Sequence, residues 1–140
     1  MSSIDNKEVL TSYIMSNLKG GLCPICGLYF KPNGTGPEGD KFTHWALNLM
    51  PWDDILNELA VPMHDWRCHI GAHEYNLSFN ETTQEFRKNV REAVYRWVKK
   101  RWWRRWLYKP CFSRLDEIYA YAVGETSAGK KAYDSNSCLV

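Results

Sequence analysis

The chain has no apolar run approaching the about eighteen residues that a membrane span needs, and its first residues are polar and acidic. These absences predict neither a transmembrane helix nor a secretory leader. They predict a protein of the cytoplasm of the producing or infected cell, at most peripheral at a membrane. A dense disulfide framework is missing as well. Five cysteines is an odd number, only Cys23 and Cys26 are close together, and Cys68, Cys111 and Cys138 are scattered, which predicts reduced thiols. Cys138 lies third from the end, one position short of a prenylation signal, so no lipid anchor is expected there. NGTG at 33–36 and GETSAGK at 124–130 lack Walker spacing, and Ser113 and Ser127 lack a nucleophile elbow, which argues against a P-loop and a serine nucleophile. No segment alternates as a strand would, and there is no internal repeat.

What is present suits one modest core: 140 residues, 44% hydrophobic and 14% aromatic. Val9, Leu10, Tyr13, Ile14 and Leu18 recur at helical spacing, predicting a helix over 5–19 that is capped by Asp5 or Ser3 and ended by Gly20 and Gly21. Residues 20–40 are Gly- and Pro-rich without a period and read as an irregular loop; 43–60 read as helical or turn-rich around Pro51. Pro62 belongs in the first turn of a helix bearing His64 and Asp65. A last helix is expected over 113–123, and a flexible polar tail over 134–140. The expected fold is mainly α: one small domain over 1–133, with two long packed helices behind an irregular N-terminal loop.

Charge is unevenly placed. The chain carries a net +2, yet residues 87–109 hold ten Lys or Arg against the single acid Glu92, a local +9 that leaves −7 for the rest. This stretch lacks Gly and Pro, and Phe86, Val90, Val94, Val98, Trp102 and Trp106 recur every four residues as one drifting helical stripe, stopped by Pro110 and capped somewhere in Asn80–Thr83. Four of the seven tryptophans fall within 97–106. A solvated basic face is the commoner meaning of a charge run. The crowding of Trp with Arg adds a contact surface made by Arg96, Trp97, Lys100, Arg101, Trp103, Arg104 and Arg105, suited to anionic phospholipid headgroups, to a nucleic-acid backbone or to an acidic protein.

The chemistry-bearing signals are NGTGPEG at 33–39 and His64-Asp65 within HDWRCHIG at 64–71. An imidazole beside a carboxylate can divide labour, the ring activating water while the acid holds a cation. With Phe86 and Asn89 in TTQEFRKNV, and with IYAYAVGETSAGKKAY at 118–133, these motifs resemble the phospholipase A2 superfamily, in particular its small phage and bacterial members without disulfides. The resemblance covers most of 33–133 as scattered short motifs. It implies a calcium-dependent phospholipid hydrolase, phage-encoded, with His64 as general base and Asp65 as calcium ligand. Carbonyls near Gly34 and Gly36 would complete the oxygen shell. Where the family carries a second-helix carboxylate that orients the imidazole, this chain has Thr82 and Thr83, with Glu81 and Glu85 nearby. A binding protein on a hydrolase scaffold follows as an alternative: a non-enzymatic phage protein that uses 87–109 to block a host nucleic-acid or defence complex.

Cys23-Pro24-Ile25-Cys26-Gly27 supports a third reading, a zinc knuckle whose two thiolates bite one ion. Its remaining ligands would come from His64, Cys68, His69 or His73, and two buried free thiols are the competing reading. With His44 and Asn57, the order resembles zinc-containing HNH nucleases, and the basic helix would then hold DNA.

Overall fold

The computed structural model describes residues 6–32, 51–106 and Tyr133. The chain is a small, mainly α-helical domain. Helix α1 runs Lys7–Ser16 and is capped by Asn6, whose side chain accepts the Val9 N–H at 2.8 Å, one residue after the expected Asp5. Its apolar stripe buries Leu10 and Ile14 completely. Residues 20–32, expected as irregular loop, contain an antiparallel hairpin, β1 (Gly21–Leu22) and β2 (Tyr29–Phe30), with Gly21 opposite Phe30 and Leu22 opposite Tyr29. Strands of two residues are too short to print an alternating pattern, so periodicity could not reveal them. Gly20 enters the hairpin at φ 128°, where a Cβ would meet the Tyr29 hydroxyl at 2.9 Å.

The short helix α2 (Asp53–Leu56) follows Pro51, and α3 spans Ala60–Ile70, with Pro62 in its first turn as expected. Helix α4 runs Phe79–Lys99. Its cap is Ser78, upstream of the expected Asn80–Thr83: Ser78 Oγ accepts the Glu81 N–H while Glu81 Oε1 accepts the Ser78 N–H, a reciprocal capping box. Lys7 Nζ reaches the same Glu81 Oε1 at 3.2 Å. The Ser78 N–H first, and then Lys7, lowers the Glu81 pKa. Among the described residues only α4, with 21 residues, is long; its partner α3 has 11. The last helix expected at 113–123, Pro110 and the tail lie outside the described residues. Tyr133 is buried, its hydroxyl donating to Leu77 O at 2.6 Å and its ring edge-on to Phe79.

Helix α3 is the middle layer. On one side Ala60 and Val61, together with Trp52, Ile55 and Leu56, pack on Phe86, Val90, Val94 and Trp97 of α4. On the other, Met63, Trp66 and Ile70 pack on Leu10 and Ile14 of α1 and on Cys23 beside the hairpin. Trp66 anchors that second cluster, with its ring edge-on to Phe30 at 4.8 Å and its Nε1 donating to Asn17 O at 2.8 Å.

Between the two clusters lies Arg67, with no exposed surface. Its Nε and Nη2 donate to both oxygens of Glu85 on α4 at 3.1 and 2.9 Å, Nη2 also reaches Thr11 Oγ1 on α1 at 2.7 Å, and Nη1 reaches Asn76 Oδ1 at 3.1 Å. Asn76 Nδ2 in turn donates to Arg67 O and Gly71 O, closing the carbonyl end of α3. Removing one partner of such a pair leaves a buried charge uncompensated. Glu85→Ala is therefore expected to destabilise the protein by about 3–5 kcal/mol in urea unfolding. An Arg67→Met/Glu85→Leu double variant should recover most of that loss; a single variant within 1 kcal/mol of wild type, on the order of a surface pair, would refute the role assigned to Arg67.

Candidate functional site

Three places carry the side chains that could do chemistry. The first is the α3–α4 contact, where His64 faces Phe86 with ring centroids 4.7 Å apart and only 5% of the residue exposed. Cys68 Sγ, one helical turn on, lies 3.9 Å from its Nδ1. Burial lowers the His64 pKa to about 4, so the ring is neutral at neutral pH. Burial, with the nearby Asp65 charge, pushes the Cys68 thiol up to about 12. The two carboxylates considered as orienters of His64 are committed elsewhere: Glu85 to Arg67, Glu81 to the cap of α4. Thr82 and Thr83 are buried in the first turns of α4, and the Thr83 hydroxyl donates to Phe79 O. Asp65 is half-buried on α3. Gly34 and Gly36, the expected calcium carbonyls, lie outside the described residues, as do His44 and the 33–39 loop.

The second place joins the hairpin to α3. Cys23, Cys26 and His69 set one donor atom each within 4.8 Å of one another, with Cys26 Sγ 3.7 Å from His69 Nε2. The Cys-Pro-Ile-Cys-Gly turn is closed by Gly27 N–H to Cys23 O at 2.9 Å and Cys23 N–H to Leu28 O at 2.8 Å. Gly27 takes φ 75°, a left-handed conformation that only glycine adopts without cost. His69 is held in plane by Phe30, stacked at 4.3 Å and 19°, and by the edge of Trp66. Of the four residues considered as partners for the cysteines, only His69 joins them. His64 and Cys68 lie on the α4 side of α3, and His73 Nδ1 accepts the Tyr75 N–H. Helical spacing carries that signal: His69 follows Trp66 by three residues and so shares the hairpin-facing side, whereas His64 and Cys68, four apart, share the other.

The third place is the end of α4. Phe86, Val90, Val94 and Val98 are buried as the stripe requires, but Trp102 is 78% and Trp106 is 81% exposed. A period of four drifts by roughly 40° per step on a helix of 3.6 residues per turn, so by Val98 the stripe has moved roughly 120° from Phe86, and Trp102 and Trp106 lie beyond the end of α4 at Lys99. Trp97, eleven residues after Phe86, returns to within roughly 20° of it. Trp97 is 9% exposed and packs edge-on to Trp52 at 5.5 Å, so it belongs to the core and not to the contact surface where it was expected. Helix α4 also ends earlier than the sequence suggests. Lys100 and Arg101 donate to Trp97 O and Val98 O in a tightened turn, and a separate helical turn covers 102–106. Arg104 braces this junction, its guanidinium 3.9 Å above the Trp97 ring, 5.5 Å from Trp103 and donating to Trp97 O at 2.8 Å. Arg104 is thus a positioning residue. Lys100, Arg101, Trp103 and Arg105 are exposed, and Arg96, also exposed, pairs loosely with Glu58 at 3.4 Å. Comparison with known protein families, with characterised proteins and with solved structures finds no match.

The buried imidazole makes stability depend on pH. In the unfolded chain His64 binds a proton near pH 6.5, in the folded protein only near 4, so between those values the unfolded state holds more protons. Stability is complete above pH 6.5 and falls as the pH drops towards 4, by about 3 kcal/mol at most. Thermal unfolding across this window should show a steep decline for wild type and a shallower one for His64→Leu; identical slopes would exclude the neutral buried ring.

Proposed function

We propose that this protein is a peripheral binding protein that docks on anionic phospholipid surfaces through the end of α4 and the 102–106 turn. The observation that carries this reading is the pair of indoles at 78% and 81% exposure, flanked by the exposed cations Lys99, Lys100, Arg101 and Arg105. A side chain of this size gains most when its apolar face leaves water, and indole favours the headgroup layer, where ring and N–H both find partners. Burying two such rings is worth several kcal/mol at about 25 cal/mol/Å². Each neighbouring cation adds about 1 kcal/mol at an anionic surface. The two terms are of similar size, so binding combines insertion with charge attraction. Tyr95, with Lys99 Nζ 4.8 Å above its ring, continues the aromatic and basic character along α4. Nucleic acid offers the same phosphates, but sequence-tolerant stacking uses rings set along a backbone-tracking groove, and these indoles project outward instead.

Calcium-dependent hydrolysis by His64 and Asp65 is the weaker reading on this geometry. A general base has to reach the water it activates. The His64 ring is enclosed by α4, and the nearby carboxylates Glu81 and Glu85 serve other partners. Both readings meet in one assay. The protein should co-sediment with vesicles of phosphatidylglycerol and phosphatidylcholine but not with phosphatidylcholine alone, and Trp102→Ala/Trp106→Ala should weaken binding at least tenfold, or about 1.4 kcal/mol. Equal sedimentation of that variant, or capture of single-stranded nucleic acid without vesicles, would refute the docking proposal. Fatty-acid release with Ca²⁺ that disappears in His64→Ala would restore the hydrolase.

A further inference from the structure

We propose that Cys23, Cys26 and His69 form a Zn²⁺ site whose role is to hold the N-terminal hairpin on α3. The donor set is two thiolates and one imidazole, the soft-to-borderline combination that suits zinc and not the oxygen-seeking Ca²⁺ or Mg²⁺. The spacing agrees with a shared ion. With Zn–S of about 2.3 Å and Zn–N of about 2.0–2.1 Å, a tetrahedron places sulfur and nitrogen about 3.6 Å apart. Cys26 Sγ and His69 Nε2 are 3.7 Å apart. The three side chains leave one corner of the tetrahedron to another donor. Zinc binding releases the protons of both thiols to solvent as the Zn–S bonds form.

The hairpin shows why an ion is needed. Its strands are two residues each, and Leu22, Leu28 and Tyr29 are all more than half exposed, so its hold on the core comes down to Cys23, Ile25, Cys26 and Phe30. An isolated hairpin of this kind is marginal in water. Yet its turn is formed, Cys23 is buried in the core, and the His69 ring is held by Phe30 and Trp66 with Nε2 directed at the Cys26 sulfur. A metal closing the 43-residue separation between Cys26 and His69 would offset the entropy of ordering the loop.

The test uses the full chain. Purified protein, and protein incubated with Zn²⁺ and desalted, should contain one zinc per chain by mass-spectrometric metal analysis, and pyridylazoresorcinol should report its release. Cys23→Ser, Cys26→Ser and His69→Phe should lose it, the last while keeping the aromatic contacts with Phe30 and Trp66. His69→Cys, Cys68→Ser and His73→Gln should retain it. A readout that needs no variant is alkylation: half-exposed Cys26 should resist iodoacetamide until a chelator is added, and Co²⁺ should give the charge-transfer absorption of a thiolate-bound ion. Protein that takes up neither zinc nor cobalt, a Cys23–Cys26 disulfide, Cys26 alkylated equally with and without chelator, or full zinc content in His69→Phe would overturn the proposal. None of these outcomes depends on vesicle binding.

Discussion

Arg67 carries a charge that cannot be removed, placed where no water reaches it, and the surrounding elements are arranged to satisfy it. A guanidinium has five donors in a rigid fork, so burying it demands several acceptors at set positions. Glu85 supplies two from α4, Thr11 one from α1, and Asn76 one from the segment after α3. Those contacts fix the rotation of α3, because a turn in either direction would strand the charge. Once α3 is fixed, its two faces are fixed as well: Ala60 and Val61 meet α4, while Met63, Trp66 and Ile70 meet α1 and the hairpin.

The two candidate binding features follow from that orientation. His69 lies on the face that Trp66 anchors and so arrives at Cys26, whereas His64, on the opposite face, is closed in by Phe86. At the far end of α4 the core-facing side is used up by Trp97, and Arg104 covers that ring from above. The tryptophans beyond it, Trp102, Trp103 and Trp106, are exposed. One aromatic-rich segment therefore divides into a buried tryptophan that completes the domain and exposed ones available to a surface outside it.

Much of the helical plan was legible in the sequence. The first helix, the turn at Pro51, Pro62 inside a first turn and the buried stripe from Phe86 to Val98 all follow from spacing and from Pro and Gly chemistry. The caps were off by one or two residues, since several neighbouring polar side chains can serve and the choice depends on partners such as Lys7. The hairpin was invisible because two-residue strands carry no period. Arg67 was missed for a different reason: an arginine in AVPMHDWRCHI is indistinguishable from a solvated one until Glu85, Asn76 and Thr11 are brought to it from 18, 9 and 56 residues away.

The sequence by itself determined a mainly helical domain, a cysteine pair on a tight glycine-ended turn and a strongly basic, tryptophan-rich segment, because these depend on local period and composition. Tertiary structure decided which histidine meets the cysteines, which tryptophan is core and which glutamate is spent on a buried charge. These outcomes turn on which face of α3 and α4 is covered, and helix rotation is set by contacts between residues far apart in the chain, which no local pattern records.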